Sequence, residues 1–200
     1  CGRGTTILAA RLRGLPSVGI DSNPVAGAIT AAKLARVRAH EVVSLARQIL
    51  EDAEPGPVPA SPQGEFWERC YAPKTLRELC RIRNYLLEQC TTRVEVALRG
   101  VMLGILHGPR NKGEPTYLSN QMPRSYSTKP VPAVRYWRRH RLNPVEIDVR
   151  NAVRRRARFS FREMPASTLG KVVTGDSRVF DFTQLAARYS WVITSPPYYG

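Results

Sequence analysis

The 200-residue chain is poor in acidic residues: 16 Asp and Glu stand against 31 Lys and Arg, and the formal net charge is +15. It also contains only four cysteines and three histidines, and none of them form a Cys-x2-Cys or paired-histidine pattern. It has no internal repeat and no apolar run long enough to cross a membrane. These absences argue against a zinc module, a disulfide-rich scaffold and a membrane protein. We therefore expect no metal and no membrane partner.

The remaining composition is that of a globular protein. Hydrophobic residues make up 42% of the chain and charged residues 24%, which is enough apolar material for a packed core. Cys1, Cys70, Cys80 and Cys90 are predicted to be free thiols in a reducing cytoplasm. The strongly basic balance predicts a polyanionic partner.

The chain begins with a glycine-containing loop, Cys-Gly-Arg-Gly-Thr-Thr over residues 1–6, followed by a helix-forming sequence. Glycine permits a positive φ and a close approach to a ligand, and a helix N-terminus offers free N–H groups to negative charge. An apolar strand over residues 17–21 then ends on Asp21, about 20 residues after the loop, as in sites that bind ribose hydroxyls. Taken alone, Asp21 fits an acid that flanks a helix. Asn23 and Pro24 are predicted to cap and start the next helix.

The chain ends in Ser-Pro-Pro-Tyr-Tyr-Gly, preceded by the apolar run Trp191-Val192-Ile193. The run predicts a buried strand, and ligands bind at the carboxyl ends of strands in open α/β sheets. Two prolines fix φ and remove two N–H donors, so the loop offers acceptors beside an aromatic ring, Tyr198. This set suits an exocyclic amino group on a stacked base. The alternative is a proline turn after an edge strand.

Together, the two ends resemble the S-adenosylmethionine-dependent amino-methyltransferases of DNA, which act on cytosine N4 or adenine N6. Residues 1–6 match the second half of the family's Cys-Gly-x-Gly-Thr-type cofactor motif, and residues 195–198 match its catalytic motif, (Asp/Asn/Ser)-Pro-Pro-(Tyr/Phe/Trp). The resemblance covers residues 1–36 and 171–200, and the middle only loosely. It implies S-adenosylmethionine as the cofactor. The cofactor-binding residues that we expect are Cys1, Gly2, Gly4, Thr5, Asp21, Ser22, Asn23 and Asp176.

Asp176 follows a strand predicted to begin at Lys171 and to close on Gly175. In enzymes similar to this one, a carboxylate at this position hydrogen-bonds the adenine amino group of the cofactor. The alternative is an Asx turn before the next helix, which is predicted over residues 182–189.

The resemblance also implies a mechanism. The Ser195 hydroxyl and the Pro196 carbonyl would accept the hydrogens of the base amine, so that its lone pair points at the sulfonium methyl group. Pro197 belongs to the same catalytic loop. Tyr198 would stack on a target base flipped out of duplex DNA. Serine in the first position goes more often with cytosine N4 than with adenine N6, so cytosine N4 is the expected target.

Other readings of the same residues remain open. An RNA or tRNA amino-methyltransferase shares both motifs. A non-catalytic basic DNA-binding module would retain the arginines. A nicotinamide-dependent dehydrogenase uses a similar glycine loop but gives no reason for Ser-Pro-Pro-Tyr.

Residues 134–164 contain ten arginines and three acids, with aromatic residues between them. Arginine suits phosphate and guanine contacts, whereas a solvated helix face is the alternative, with a helix predicted from Asn143-Pro144 to Ala157. The residues expected to contact nucleic acid are Arg124, Arg135, Arg138, Arg139, Arg154, Arg155 and Arg156.

The predicted fold class is α/β, an incomplete Rossmann-like methyltransferase sheet with an inserted, mainly helical basic subdomain. Residues 1–50 are expected to form the cofactor-binding half, 51–165 a helical and loop insertion that serves target recognition, and 166–200 the continuation with the catalytic loop. Within the insertion, Thr75 with Glu78 and Thr92 with Glu95 predict capping boxes. Because a glycine loop of this kind follows a strand, we expect the chain to be a fragment that lacks part of the cofactor pocket.

Overall fold

The computed structural model describes residues 1–53, 56–108, 116–123, 129–162, 169–185 and 189–194. The chain forms two compact units. One consists of Cys1–Arg36 and Glu163–Gly200, and the other of Val37–Arg162. The sequence-based boundaries, after residues 50 and 165, fall elsewhere, because the helix that begins at Ala39 belongs to the second unit.

The first unit is α/β. Strand β1 (Ser17–Asp21) pairs in parallel with strand β2 (Gly170–Thr174), in a register that runs from Ser17 opposite Gly170 to Asp21 opposite Thr174. Helix α1 (Thr5–Leu12) and helix α2 (Pro24–Leu34) pack against these strands. The α/β character and both strands agree with the prediction.

Local signals explain the start of α2. Asn23 caps the helix, since its Oδ1 accepts hydrogen bonds from the backbone N–H groups of Val25 (2.9 Å) and Ala26 (3.4 Å), and Pro24 occupies the first helical position. The other end of α2 is held by the buried Arg11 of α1, whose Nη1 donates to the carbonyl oxygens of Lys33 (2.5 Å) and Ala35 (3.2 Å). These side-chain bonds satisfy backbone groups that a helix leaves unpaired at its ends.

The second unit is helical. Its helices are α3 (Ala39–Glu51), α4 (Glu65–Cys70), α5 (Pro73–Glu88), α6 (Arg93–Ile105), α7 (Pro130–Arg139) and α8 (Val149–Ser160). Helix α8 packs against α3, α5 and α6, and α4 packs against α7. Fully buried apolar side chains fill these contacts, among them Val42, Ile82, Leu98, Ile105, Val149 and Val153.

Within the helical unit, two of the predicted helix starts are wrong and one is confirmed. Helix α5 begins at Pro73, and Thr75 is not a cap, because its Oγ1 donates to the Ile147 carbonyl (3.2 Å) and accepts from the Ile147 N–H (3.0 Å). That pairing holds the segment before α8 out of helical conformation. Helix α8 therefore begins at Val149, capped by Asp148, and not at residue 143. Thr92 and Glu95 form the predicted capping box of α6.

The predicted buried strand at Trp191-Val192-Ile193 is also wrong. These side chains are 83%, 92% and 71% exposed, and residues 191–194 have no regular secondary structure. An apolar strand becomes buried only when neighbouring strands pair with it and helices cover its faces, whereas the described strands pair only with each other. The helix predicted over residues 182–189 is shorter as well: it is a 3₁₀ turn over Phe182–Gln184, and residues 186–188 lie outside the described part.

The described residues contain no helix that is long and apolar enough to span a membrane. A search of the same residues for three or more His, Cys, Asp or Glu side chains placed to hold a metal ion finds none. All four cysteines are free, and Cys70 and Cys80 are buried.

Candidate functional site

The carboxyl ends of β1 and β2 meet at one edge of the sheet. The backbone N–H of Gly175 donates to the carbonyl oxygen of Asp21 over 2.9 Å, immediately beyond the last paired residues of the two strands. This bond places the Asp21 and Gly175-Asp176 segments side by side. Strand ends of this kind are where ligands bind in parallel α/β sheets.

The carboxylate of Asp21 holds the glycine loop against this edge. Its Oδ2 accepts hydrogen bonds from the amino group of Cys1 (2.8 Å) and the N–H of Gly2 (2.6 Å), and its Oδ1 accepts from the N–H of Asn23 (2.9 Å). The structure therefore brings together four of the residues predicted to bind cofactor.

These donors also set the charge state of Asp21. The hydrogen bond from the Cys1 nitrogen lowers the pKa of Asp21 most, burial opposes this by raising the pKa, and the hydrogen bonds from the N–H groups of Asn23 and Gly2 lower it further. The group is consequently ionised at neutral pH. An ionised carboxylate offers about four lone-pair positions, so that three bound donors leave room for one more. The side chain is 18% exposed, which leaves it accessible to a hydroxyl group.

Two residues of α2 hold the opposite side of the loop. The Thr30 hydroxyl donates to the Gly2 carbonyl oxygen (3.2 Å), and the Lys33 ammonium donates to the Arg3 carbonyl oxygen (2.5 Å). Thr30 is fully buried. Neither residue is among those predicted from the sequence. The signal that was present is a pair of polar residues three apart, on one face of an otherwise apolar helix.

Gly4 lies where the loop becomes helix α1. It is buried, has φ +71°, and its N–H donates to the Cys1 carbonyl oxygen over 3.0 Å. A Cβ atom at this position would lie 2.5 Å from Thr30 Oγ1. Glycine is required here for both its conformation and its size. Thr5 is the exposed first residue of α1, and the N–H groups of that first turn are available to an anion.

Cys1, the first residue of the glycine loop, lies at the edge of β1 that faces away from β2. The backbone groups of Ser17 and Asp21 bond toward β2, because Ser17 donates to Leu169 and Asp21 accepts from Gly175. Backbone direction alternates along a strand, so the carbonyl of Ile20 points to the other edge. That carbonyl accepts a hydrogen bond from the Cys1 amino group over 2.7 Å. Cys1 and β2 therefore lie on opposite edges of β1.

The carboxylate of Asp176 accepts hydrogen bonds from Arg178, two residues further along the chain. Its Oδ1 accepts from the N–H of Arg178 (2.9 Å), which is the Asx turn that we considered as the alternative, and its Oδ2 accepts from the Arg178 guanidinium (2.6 Å). The side-chain bond from Arg178 lowers the pKa of Asp176 to about 2, and the backbone bond adds to this. Asp176 is thus a carboxylate whose partner, Arg178, is exposed to solvent.

The remaining predicted cofactor residues lie in the turn after β1. Ser22 is exposed beside Asp21, and Asn23 is occupied as the cap of α2. The predicted catalytic residues Ser195, Pro196, Pro197 and Tyr198 lie outside the described residues, as does Arg124.

The arginines predicted to contact nucleic acid divide into two groups. Arg138 is bound to Glu65, which also holds Arg69, and the Arg138 hydrogen bond is the largest cause of a lowered Glu65 pKa. Arg156 is half-buried, with Nε 3.2 Å from the position of a Cβ on Gly104 in α6. These two have structural contacts. Arg135, Arg139 and Arg154 are exposed, and Arg155 is half-buried.

Comparison of the chain with protein-family models, curated proteins and solved structures finds no match.

Proposed function

We propose that the protein is an S-adenosylmethionine-dependent DNA methyltransferase that modifies an exocyclic base amine, cytosine N4 in preference to adenine N6. The observation that carries the proposal is the meeting of the glycine loop, Asp21 and the Gly175-Asp176 segment at the carboxyl edge of a parallel strand pair. Each of the three segments belongs to the motif set that resembles this family. We further propose the cytoplasm as its compartment, since Cys70 and Cys80 are free thiols.

The order of the segments across the sheet supports a Rossmann-like fold. In doubly wound sheets, strand 2 lies between strand 3 and strand 1, and the glycine turn follows strand 1. Here β1 lies between β2 and the chain at Cys1, from which the glycine loop leads into α1. The observed arrangement corresponds to that half of the doubly wound order, with β1 in the place of strand 2.

The residues present fit the chemical groups of the cofactor. S-adenosylmethionine supplies an electrophilic methyl group on its sulfonium when bound. Asp21 has an acceptor position left for a ribose hydroxyl, and Asp176 would exchange Arg178 for the adenine amino group. The N–H groups at the start of α1 suit the cofactor's carboxylate. All of these groups belong to the first unit.

The transfer itself is assigned to the terminal motif. The Ser195 hydroxyl and the Pro196 carbonyl would hold the amine of a flipped base, and Tyr198 would stack on its ring. This arrangement works by positioning and electrostatics and needs no covalent intermediate.

Cofactor binding tests the site directly. Isothermal titration of the intact protein with S-adenosylmethionine should show binding that weakens about tenfold or more in Asp21→Asn and Asp176→Asn, since a hydrogen bond to a charged group contributes about 1.5–3 kcal/mol. Asp181→Asn is the matched control, because Asp181 is an exposed acid of the same unit that caps the 3₁₀ turn. Equal weakening in all three variants, or no binding by the wild type, would contradict the proposal.

A further inference from the structure

Helix α8 presents one exposed face made of arginines. Arg150, Arg154 and Arg158 follow one another at four-residue spacing, so that they share a face, and all three are exposed. Val149, Ala152, Val153 and Ala157 are buried on the other side. From residue 149 to residue 162 the sequence has six arginines and no acid. The arginine row is defined here as Arg150, Arg154 and Arg158.

The row differs from the cluster that the sequence suggests. Arg154, Arg155 and Arg156 are consecutive, but Arg156 is two positions from Arg154 and points toward the packed side. Its guanidinium lies beside Gly104 of α6 and over the ring of Phe159, with 5.7 Å from Cζ to the ring centroid. The structure therefore places Arg156 half-buried against α6, and it places Arg158, which our prediction omitted, on the exposed face.

The contacts of the row leave its charge largely uncompensated. Among the contacts of the described residues, the Arg154 side chain has one hydrogen bond, which Nη2 donates to the neutral amide oxygen Asn151 Oδ1 over 2.8 Å. Arg150 Nη1 lies 3.5 Å from Glu51 Oε1, and that same carboxylate is shared with Arg47. Surface pairs of this kind contribute about 0–1 kcal/mol and are easily exchanged. The helical unit as a whole holds 23 Lys and Arg against 12 Asp and Glu.

The geometry of the row fits a phosphate backbone. With a rise of 1.5 Å per residue, neighbouring arginines stand about 6 Å apart and the row spans about 12 Å. Each DNA strand carries one charge per about 3.4 Å of helix axis, so the row can reach several phosphates. Guanidinium groups bind phosphate through paired hydrogen bonds. Beside the row, Phe159 is 78% exposed, and it offers an apolar surface to sugar or base.

We propose that the arginine row of α8, with Arg154 and Arg158 as its main phosphate contacts, docks the protein on the phosphate backbone of duplex DNA without reading sequence. The choice of DNA as the polyanion rests on the proposed function, whereas the position of the docking surface rests on α8 alone. Arg138, which is paired with Glu65 on α4, and Arg156, which packs beside Gly104, lie outside this row.

Salt-dependent binding tests the assignment. Fluorescence anisotropy of the intact protein with a short duplex of arbitrary sequence, without cofactor, gives the slope of log Kobs against log salt. The Arg154→Ala/Arg158→Ala variant should lose about 1.8 from this slope, at about 0.9 for each phosphate contact. Arg156→Ala should keep the wild-type slope, and far-UV circular dichroism verifies that α8 remains folded.

The matched control is Arg77→Ala/Arg93→Ala, which removes two exposed arginines from α5 and α6. An equal loss of slope in both double variants would show diffuse charge and overturn the proposal, as would an unchanged slope in Arg154→Ala/Arg158→Ala. Tighter binding to duplex RNA or to anionic lipid vesicles would overturn the choice of DNA. Because no methyl transfer is measured, a protein without methyltransferase activity can still bear out the docking surface, and an active enzyme can still contradict it.

Discussion

The contact between Gly4 and Thr30 predicts a large effect of a single methyl group. In Gly4→Ala, the new Cβ would lie 2.5 Å from Thr30 Oγ1 and 2.6 Å from its Cγ2. Thr30 is fully buried and hydrogen-bonded to Gly2, so it cannot turn away freely. Overpacking of this kind costs about 1–3 kcal/mol. The left-handed φ of +71° adds about 1–2 kcal/mol for a residue with a Cβ. We expect the free energy of unfolding to fall by about 2–5 kcal/mol.

Gly14 provides the matched control. Its φ is +67°, close to that of Gly4, but no atom lies within 4 Å of its Cβ position. Gly14→Ala should therefore cost only the backbone part, about 1–2 kcal/mol. The Thr30→Ala background removes the two nearest atoms, Oγ1 and Cγ2, and leaves the Cβ of residue 30 at 2.9 Å. In that background Gly4→Ala should therefore cost less than it does in the wild type, but still more than Gly14→Ala.

Urea unfolding followed by far-UV circular dichroism measures these differences in a double-mutant cycle. A cost for Gly4→Ala equal to that for Gly14→Ala would refute the close contact. The same cost with and without Thr30 would refute the role of Thr30 in it.

Three further predictions concern the helical unit. Thr92→Ala should destabilise α6 by about 1 kcal/mol in urea unfolding, because Thr92 Oγ1 accepts a hydrogen bond from the Glu95 N–H and so caps the helix. Thr91→Ala leaves that bond intact and is the control; equal effects of the two substitutions would contradict the role of the cap. Burial lowers the pKa of His107, whose Nδ1 contacts Ser119 Oγ at 2.8 Å. As the pH drops below about 6.5, the unfolded state is therefore protonated at this histidine before the folded state, and the free energy of unfolding should fall. His107→Gln should flatten this decline, and an unchanged pH profile in that variant would contradict the role of His107. Burial raises the pKa of Cys70 to about 12, and the Cys80 side chain is equally buried. Mass spectrometry should therefore find neither thiol alkylated by iodoacetamide in the native protein and both alkylated in urea. Alkylation in the native protein would show that these thiols are accessible.

Short-range signals predicted the α/β unit well. The apolar run ending at Asp21 and the Asn23-Pro24 helix start depend on neighbouring residues, and both appear as predicted. The capping box of Thr92 and Glu95 is equally local. Thr75 resembles the same signal, but it bonds Ile147, which is 72 residues away. A pattern of four residues contains no information about such a partner.

The remaining differences come from tertiary contacts. Thr30 and Lys33 are visible as loop-holding residues only after α2 is placed beside the glycine loop. Arg156 is one of three consecutive arginines in the sequence, and only the packing of α8 on α6 separates it from its neighbours. The apolar run at Trp191 predicts a strand from its composition, yet a strand needs partners that composition does not supply.

The central claim is methyl transfer to a base amine, and identification of the methylated nucleoside tests it most directly. The intact protein is incubated with DNA and S-adenosylmethionine labelled in its methyl group, and the DNA is then digested to nucleosides. The account predicts label in N4-methylcytosine, less of it or none in N6-methyladenine, and loss of the label in Ser195→Ala. Absence of label from both DNA and RNA substrates would contradict the account, and label confined to RNA would move the activity to the other class of nucleic acid.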